Sequence, residues 1–363
     1  MFFDRFRDAV SRLPDGLIRT GPPASSEDIG RAAAALGRAL PPTFESFLQS
    51  FDGVDLFHEA VVVAGVGPQA GRRLGDLDQA IGSGRADTAF VFAETSSGDR
   101  FAFGRDGAIL RLRGSPATSD EEVWLAGTEF TVWLDAVIAH ERVLFGPDGE
   151  FSPDAFEPDG AEILPRVALR QAEKALRLDP GSAELHHERG VALRRLGRDE
   201  DARPSFRRAA ELDPGNPWPW FELGRAALEA GMSGAREALE AFEQAGRAEP
   251  GEAGAQFWIW GARAALLLGT PDRLNECRRE ALARAPELAA ALRRAREEAA
   301  GGEDPHELAE AQALLDALEK SPGTARARLV VVTEAGPPPK ERSPANAPAK
   351  PTVPARTRSR RRP

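Results

Sequence analysis

The residues able to do covalent or metal chemistry in this 363-residue chain lack the spacing that such chemistry needs. His186 and His187, followed by Glu188, are the densest set of metal-ligating groups. Adjacent side chains on a helix point about 100° apart. A two-histidine zinc clamp instead needs i, i+4 spacing with a glutamate between. The pair therefore reads as solvated or packed histidines, and no metal site is expected. Cys277 sits between Glu276 and Arg278 with no evident histidine partner, so it reads as an ordinary helix residue, not a nucleophile. Being the single cysteine, it excludes an intrachain disulfide and a multi-thiolate zinc site. Gly65, Gly67 and Gly71 give GxGxxxG, one residue longer than the dinucleotide fingerprint and outside any parallel βαβ unit, and read as a flexible loop. The phosphate-loop motif and the G-x-S-x-G elbow are absent. Carboxylates are abundant, but no spacing isolates one acid and one base. The reading is a non-catalytic chain with no cofactor.

Binding chemistry is better represented. Gly190, Gly197, Ala202, Phe206, Ala209 and Pro214 recur as Gly224, Gly231, Ala238, Phe242, Ala245 and Pro250. The glycines lie 34 residues apart and the later positions 36, because two residues are inserted after Gly231. Such a period marks stacked helical hairpins that cannot bury their apolar faces singly. These residues resemble the tetratricopeptide repeat. One unit runs from Ala183 to about Asn216 and a second from Pro217 to about Glu252. The second carries Trp220, Leu223 and Gly224 in the family's positions, whereas the first has His186 and Arg189 in place of the usual Trp and Leu. A degenerate third unit begins with Phe257, Trp258, Trp260 and Gly261 and closes with Ala281 and Pro286. A helix from Ile163 to Leu178 precedes the units, and residues 287–320 read as two end-capping helices. In this family the first helix of each unit lines the inner face. The resemblance thus places His187, Val191, Arg194, Trp218, Phe221 and Arg225 in a groove. Aromatics beside arginines suit an acidic or aromatic peptide. Alternatively, Trp218 and Phe221 pack against neighbouring units. His187 and Val191 occupy the Lys and Asn positions of chaperone-tail clamps, which disfavours that partner.

Composition frames these elements. Hydrophobic residues make up 42% and charged residues 29%, ordinary for a globular protein, and Tyr is absent. Phe2, Phe3, Phe6, Val10 and Leu13 share one face of an N-terminal helix broken by charges, so it reads as docked on the first domain, not as a signal peptide. No apolar run reaches the length of a membrane span, and a cytoplasmic location without membrane contact is expected. The net charge of −10 is uneven: residues 321–363 carry ten Lys or Arg against two Glu, a net of +8, which leaves −18 on the rest (−10 minus +8).

The first domain reads as α+β. Ser25 and Ser26 cap a helix with Ile29, Ala32, Ala33, Leu36 and Leu40 as its stripe; Pro41-Pro42 starts another with Phe44, Phe47, Leu48 and Phe51; Asp52-Gly53 ends it. Strands are predicted over residues 60–64, 89–93, 100–103, 108–112 and 122–125, then a helix containing Phe130, Trp133, Leu134, Val137 and Ile138. This order, with Leu40-Pro41-Pro42, Phe44, Asp52-Gly53, Phe90-Val91-Phe92-Ala93 and the hairpin from Asp99 to Leu112, resembles the SUKH superfamily of cell-wall assembly regulators and toxin-immunity proteins over about residues 20–145. Val54 departs from the two glycines frequent there. The resemblance implies an acidic surface able to cover a toxin's basic site; Asp52, Asp55, Asp99, Asp120, Glu121 and Glu122 are its candidates, unless they form only a solvated face.

The expected organisation is multidomain. A SUKH-like α+β domain (1–150) is followed by a linker or ordered hinge loop (151–162), an all-α tetratricopeptide-type helical solenoid (163–320), and a disordered Pro- and Arg-rich basic tail (321–363). The expected function is non-catalytic recognition of a protein partner: masking of a toxin or effector, or collection of peptide segments in the groove. A third reading is nucleic-acid association through Arg356, Arg358, Arg360, Arg361 and Arg362, which have no interleaved aromatic for base stacking.

Overall fold

Short apolar runs separated by glycine turns form the N-terminal half of the computed structural model, which describes residues 2–77, 90–104, 106–114, 122–158 and 162–285. Seven strands make one antiparallel sheet whose spatial order is its chain order: β1 (Ile18–Thr20), β2 (Val54–Leu56), β3 (Val61–Val63), β4 (Phe90–Thr95), β5 (Arg100–Phe103), β6 (Ile109–Arg113) and β7 (Glu122–Gly127). Helices α1 (Phe2–Val10), α2 (Ser26–Ala35), α3 (Pro42–Leu48), α4 (Leu74–Leu77) and α5 (Phe130–Glu141) complete this half. The Ser25 hydroxyl caps α2 by accepting from the Asp28 N–H at 3.1 Å.

Residues directly opposite across a pair of strands share a face. Phe90 pairs with Phe103, and Phe101 with Arg111. The phenylalanines of β4 and β5 meet α3 and α5: Phe44 lies 5.4 Å from Phe103 and 5.2 Å from Phe130, and Trp133 lies 4.9 Å from Phe101 (ring centroids). On β6 and β7 the same face changes character. Arg111, Arg113 and Trp124 stand there instead of phenylalanines.

What covers that polar stretch is the helical half. Helices α6 (Pro165–Leu176), α7 (Ala183–Arg195), α8 (Asp199–Leu212), α9 (Pro217–Leu228), α10 (Ala235–Ala248), α11 (Ala255–Leu267) and α12 (Pro271–Arg284) follow in antiparallel hairpins. Helix α6 packs on both α5 and α7, and α7 lies on β7, so sheet and repeats share one compact unit. The repeat glycines have a visible cause. A Cβ on Gly190 would sit 2.5 Å from the Phe206 ring, and one on Gly224 2.6 Å from the Phe242 ring. The connecting segment is ordered where described: Phe145 bridges to Phe151, Phe156 bridges to Ile163, and Ala155 joins the N-terminal core.

Candidate protein-recognition surfaces

The sheet meets the repeats through a buried charge network. Arg111 donates to Asp99 at 2.7 Å and to Glu184 on α7 at 3.0 Å. Arg113 also donates to Glu184 and lies 3.5 Å from Glu188. His140 on α5 faces Glu141 at 2.9 Å and Glu188 at 3.4 Å. Burial alone would lower the His140 pKa, but these two carboxylates hold it well above the ordinary imidazole range. Burial would likewise raise Glu188, but His140, Arg113 and Arg111 hold it well below the usual carboxylate range.

The free edge of β7 is closed by a sequence device that recurs with the repeat. Leu178-Asp179-Pro180-Gly181 reappears 34 residues on as Leu212-Asp213-Pro214-Gly215. Asp179 accepts from the Thr128 N–H at 2.9 Å and its hydroxyl at 3.1 Å. Asp213 accepts from the Leu125 N–H at 3.4 Å, and Asn216 donates to the Val123 carbonyl at 3.4 Å. An edge strand left bare would invite pairing with another chain. The motif was visible in the sequence; its role required knowing that β7 runs past both turns.

The predicted groove residues are placed differently from one another. His187 is half-buried between the sheet and α8: its ring lies 4.6 Å from Trp124 of β7 and 5.7 Å from Phe206. Burial, with Arg113 and Arg194 nearby, lowers its pKa to about 3, so it is neutral at physiological pH. Phe221 is core, packed against Phe242 at 5.7 Å and Phe257 at 5.3 Å. Val191 packs partly buried on the cluster of Leu193 and Phe206. Trp218 is half-buried against Phe257. Arg194 is held by Glu222 and by Asp199 at 3.6 Å.

Arg225 remains half-exposed. Its guanidinium lies 5.8 Å over Phe221 and 5.9 Å over Trp260, and 3.5 Å from Glu222. Arg263, which sequence reasoning missed, continues the alternation: it is exposed, 5.3 Å over Trp260, and makes no ion pair among the described residues. The result is a ladder of rings and guanidinium groups across α9 and α11. Cation–π contacts fix the planar cations without neutralising them.

Among the described residues, the acidic candidates implied by resemblance have separate partners. Asp52 is a correction: it is 4% exposed, and its carboxylate accepts from the N–H groups of Val66 at 2.6 Å and Gly67 at 2.9 Å. Its position at the close approach of two loops requires burial. Asp55 accepts from the Glu59 N–H at 2.7 Å, Asp99 is paired with Arg111, and Glu122 accepts from the Trp124 indole at 3.1 Å. Asp120, Glu121 and the five tail arginines lie outside the described residues, as do the capping helices of 287–320 and the tail itself. Among the described residues no three His, Cys, Asp or Glu converge on a metal position, and no helix is long and apolar enough to cross a membrane.

The tetratricopeptide repeat family matches residues 164–217, the stretch from α6 to the start of α9. No curated protein matches the chain significantly. Among solved structures, a crystal structure of MamA is 18% identical, covering 43% of this chain and 87% of its own, with a TM-score of 0.32. MamA 41-end from Desulfovibrio magneticus RS-1 is 22% identical, covering 43% and 86%, with a TM-score of 0.31. YrrB, described as a TPR protein with an unusual peptide-binding site, is 20% identical, covering 43% and 77%, with a TM-score of 0.32.

Proposed function

We propose that this chain is a non-catalytic protein-recognition scaffold whose working face is the repeat surface of α9 and α11. The observation that carries this reading is the ladder of Phe221, Arg225, Trp260 and Arg263. Its two guanidinium groups are preorganised by the rings beneath them, and Arg263 has no carboxylate partner among the described residues. Such a face suits an extended segment carrying carboxylate or aromatic side chains. The sheet half covers the inner side of α7 and holds the stack's first unit in place. The finer reading, masking of a toxin or effector in the cytoplasm by the sheet half, is supported by the SUKH resemblance of residues 20–145.

Panning the full chain against a random dodecapeptide library tests the scaffold reading. Selected peptides are expected to be enriched in Asp, Glu and aromatics, and to bind Arg263→Glu and Arg225→Glu at least tenfold more weakly by fluorescence anisotropy. Peptides that bind both variants as tightly as the parent chain place recognition elsewhere.

A further inference from the structure

The loop of residues 145–158 displays an aromatic surface separate from the repeat face. Phe151 is 52% exposed. Its ring stacks on Phe156 at 5.0 Å and meets Phe145 edge-on at 5.1 Å. The backbone holds the ring outward. Gly146 donates to the Glu150 carbonyl at 2.8 Å, Ser152 donates to the Leu144 carbonyl at 2.8 Å, and Gly149 turns at φ +86° against Pro14.

A strained turn converges on the same rings. Phe57, His58 and Glu59 are three consecutive non-glycine residues with φ of 55°, 58° and 68°, a conformation L-residues resist. It is held by Phe57 donating to the Leu17 carbonyl at 2.6 Å, by Glu59 donating to Asp55, and by the Phe57 ring packed 5.2 Å from Phe145. The outcome is that His58 and Glu59 point to solvent, with His58 5.9 Å from Phe145. Strain that persists in this way gathers at sites of function.

The exposed charges of this loop are acidic; the cations beside it are engaged by backbone carbonyls, Arg142 donating to the Phe145 carbonyl and Arg195 to the Ile163 carbonyl. Residues 143–165 contain no Lys or Arg. Glu59, Asp148, Glu150 and Asp154 are exposed and make no ion pair among the described residues, whereas Glu157 and Glu162 of the same stretch are tied to Arg195. An exposed ring in a loop that carries uncompensated carboxylates is complementary to a guanidinium, which stacks and pairs at once. The molecule uses that arrangement internally, where Arg111 lies 5.5 Å over Phe101 and pairs with Asp99.

We propose that the Phe151 surface docks an arginine-bearing segment of a partner protein, the guanidinium lying on Phe151 with Asp148 and Glu150 beside it. The proposal is independent of the repeat face. Its test uses the full chain and three fluorescein-labelled nonapeptides alternating glycine with arginine, lysine or glutamate, read by anisotropy near physiological salt. The arginine peptide is expected to bind saturably and several-fold more tightly than the lysine peptide. Phe151→Ser and the double variant Asp148→Asn/Glu150→Asn are each expected to weaken it at least tenfold, with Arg263→Glu within twofold of the parent. Should Phe151→Ser shift the unfolding midpoint, the double variant carries the test. Equal binding of arginine and lysine peptides, or parent-like binding by the double variant, overturns the proposal.

Discussion

Asp52 shows how one side chain's environment settles its role. In sequence it is an acidic residue beside a glycine, open to a reading as surface charge. In the fold it is a buried carboxylate satisfied by the Val66 and Gly67 N–H groups, and a Cβ on Gly65 or Gly67 would sit 2.6 or 2.5 Å from its oxygens. The GxG spacing therefore has a cause other than phosphate binding: it lets a loop backbone close over a carboxylate. Removing that carboxylate strands buried donors, which costs about 1–3 kcal/mol. Asp52→Ala is expected to lower urea-unfolding stability by about that amount, while Glu27→Ala, an exposed member of an i, i+4 pair with Arg31, changes it by under about 0.5 kcal/mol. Equal effects from the two substitutions would show Asp52 to be dispensable. The same reasoning separates the groove candidates. Residue type nominated Phe221 and Arg225 equally, but packing against Phe242 and Phe257 makes one core and leaves the other half-exposed.

At the level of elements, the α7–α8 and α9–α10 hairpins each close by laying a phenylalanine of the second helix over a glycine of the first, whereas in α11–α12 the Cys277 sulfur takes that place over Gly261. For Gly224→Ala two effects oppose. Replacing a helix-interior glycine gains about 1 kcal/mol of helix propensity. Forcing a methyl against the Phe242 ring costs about 1–3 kcal/mol. Since the contact would be 2.6 Å and Phe242 is fully buried, the steric cost is expected to win. Thermal denaturation should show Gly224→Ala destabilised, with Gly224→Ala/Phe242→Leu recovering part of the loss. A single variant as stable as the parent would mean that the ring can move aside. This closure was legible in the sequence because it repeats, as were α1, α2, α3, α5 and β3 to β7, whose apolar spacing or flanking turns are long enough to show a period. Strands β1 and β2 were not, since Ile-Arg-Thr and Val-Asp-Leu are three residues interrupted by charge, whereas β3, of the same length, is an unbroken run of valines. Nor was the change of face on β6 and β7. Nothing in the sequence marks Arg111 and Arg113 as covered, which follows only from α7 lying above them with Glu184 and Glu188.

For the molecule as a whole, the consequence is that two architectures are joined by ion pairs alongside the packing of Val167 into the core of the sheet half, and the ionic part of such a joint depends on pH. The His140–Glu188 pair links α5 of the sheet half to α7 of the repeats at 3.4 Å. His140 has its pKa raised in the folded state above the ordinary 6.5. Its contribution is therefore fully present below that value and lost as pH rises through the raised pKa. Glu188 has its pKa lowered from the ordinary 4.5, so its contribution is present above that value and lost as pH falls through the lowered pKa. Both hold together between about pH 4.5 and 6.5, where the pair stabilises the joint most. His140→Gln keeps a hydrogen-bonding side chain but removes the charge. Its destabilisation relative to the parent is expected to be greatest in that window and to shrink steadily as pH rises into the alkaline range, in thermal melts at constant ionic strength. Glu188→Gln should instead lose its deficit towards acid pH. A deficit for His140→Gln that stays constant from pH 5 to pH 10 would mean that the imidazole acts by shape alone, and that the sheet and the repeats are held by the arginine pairs on β6 without its charge.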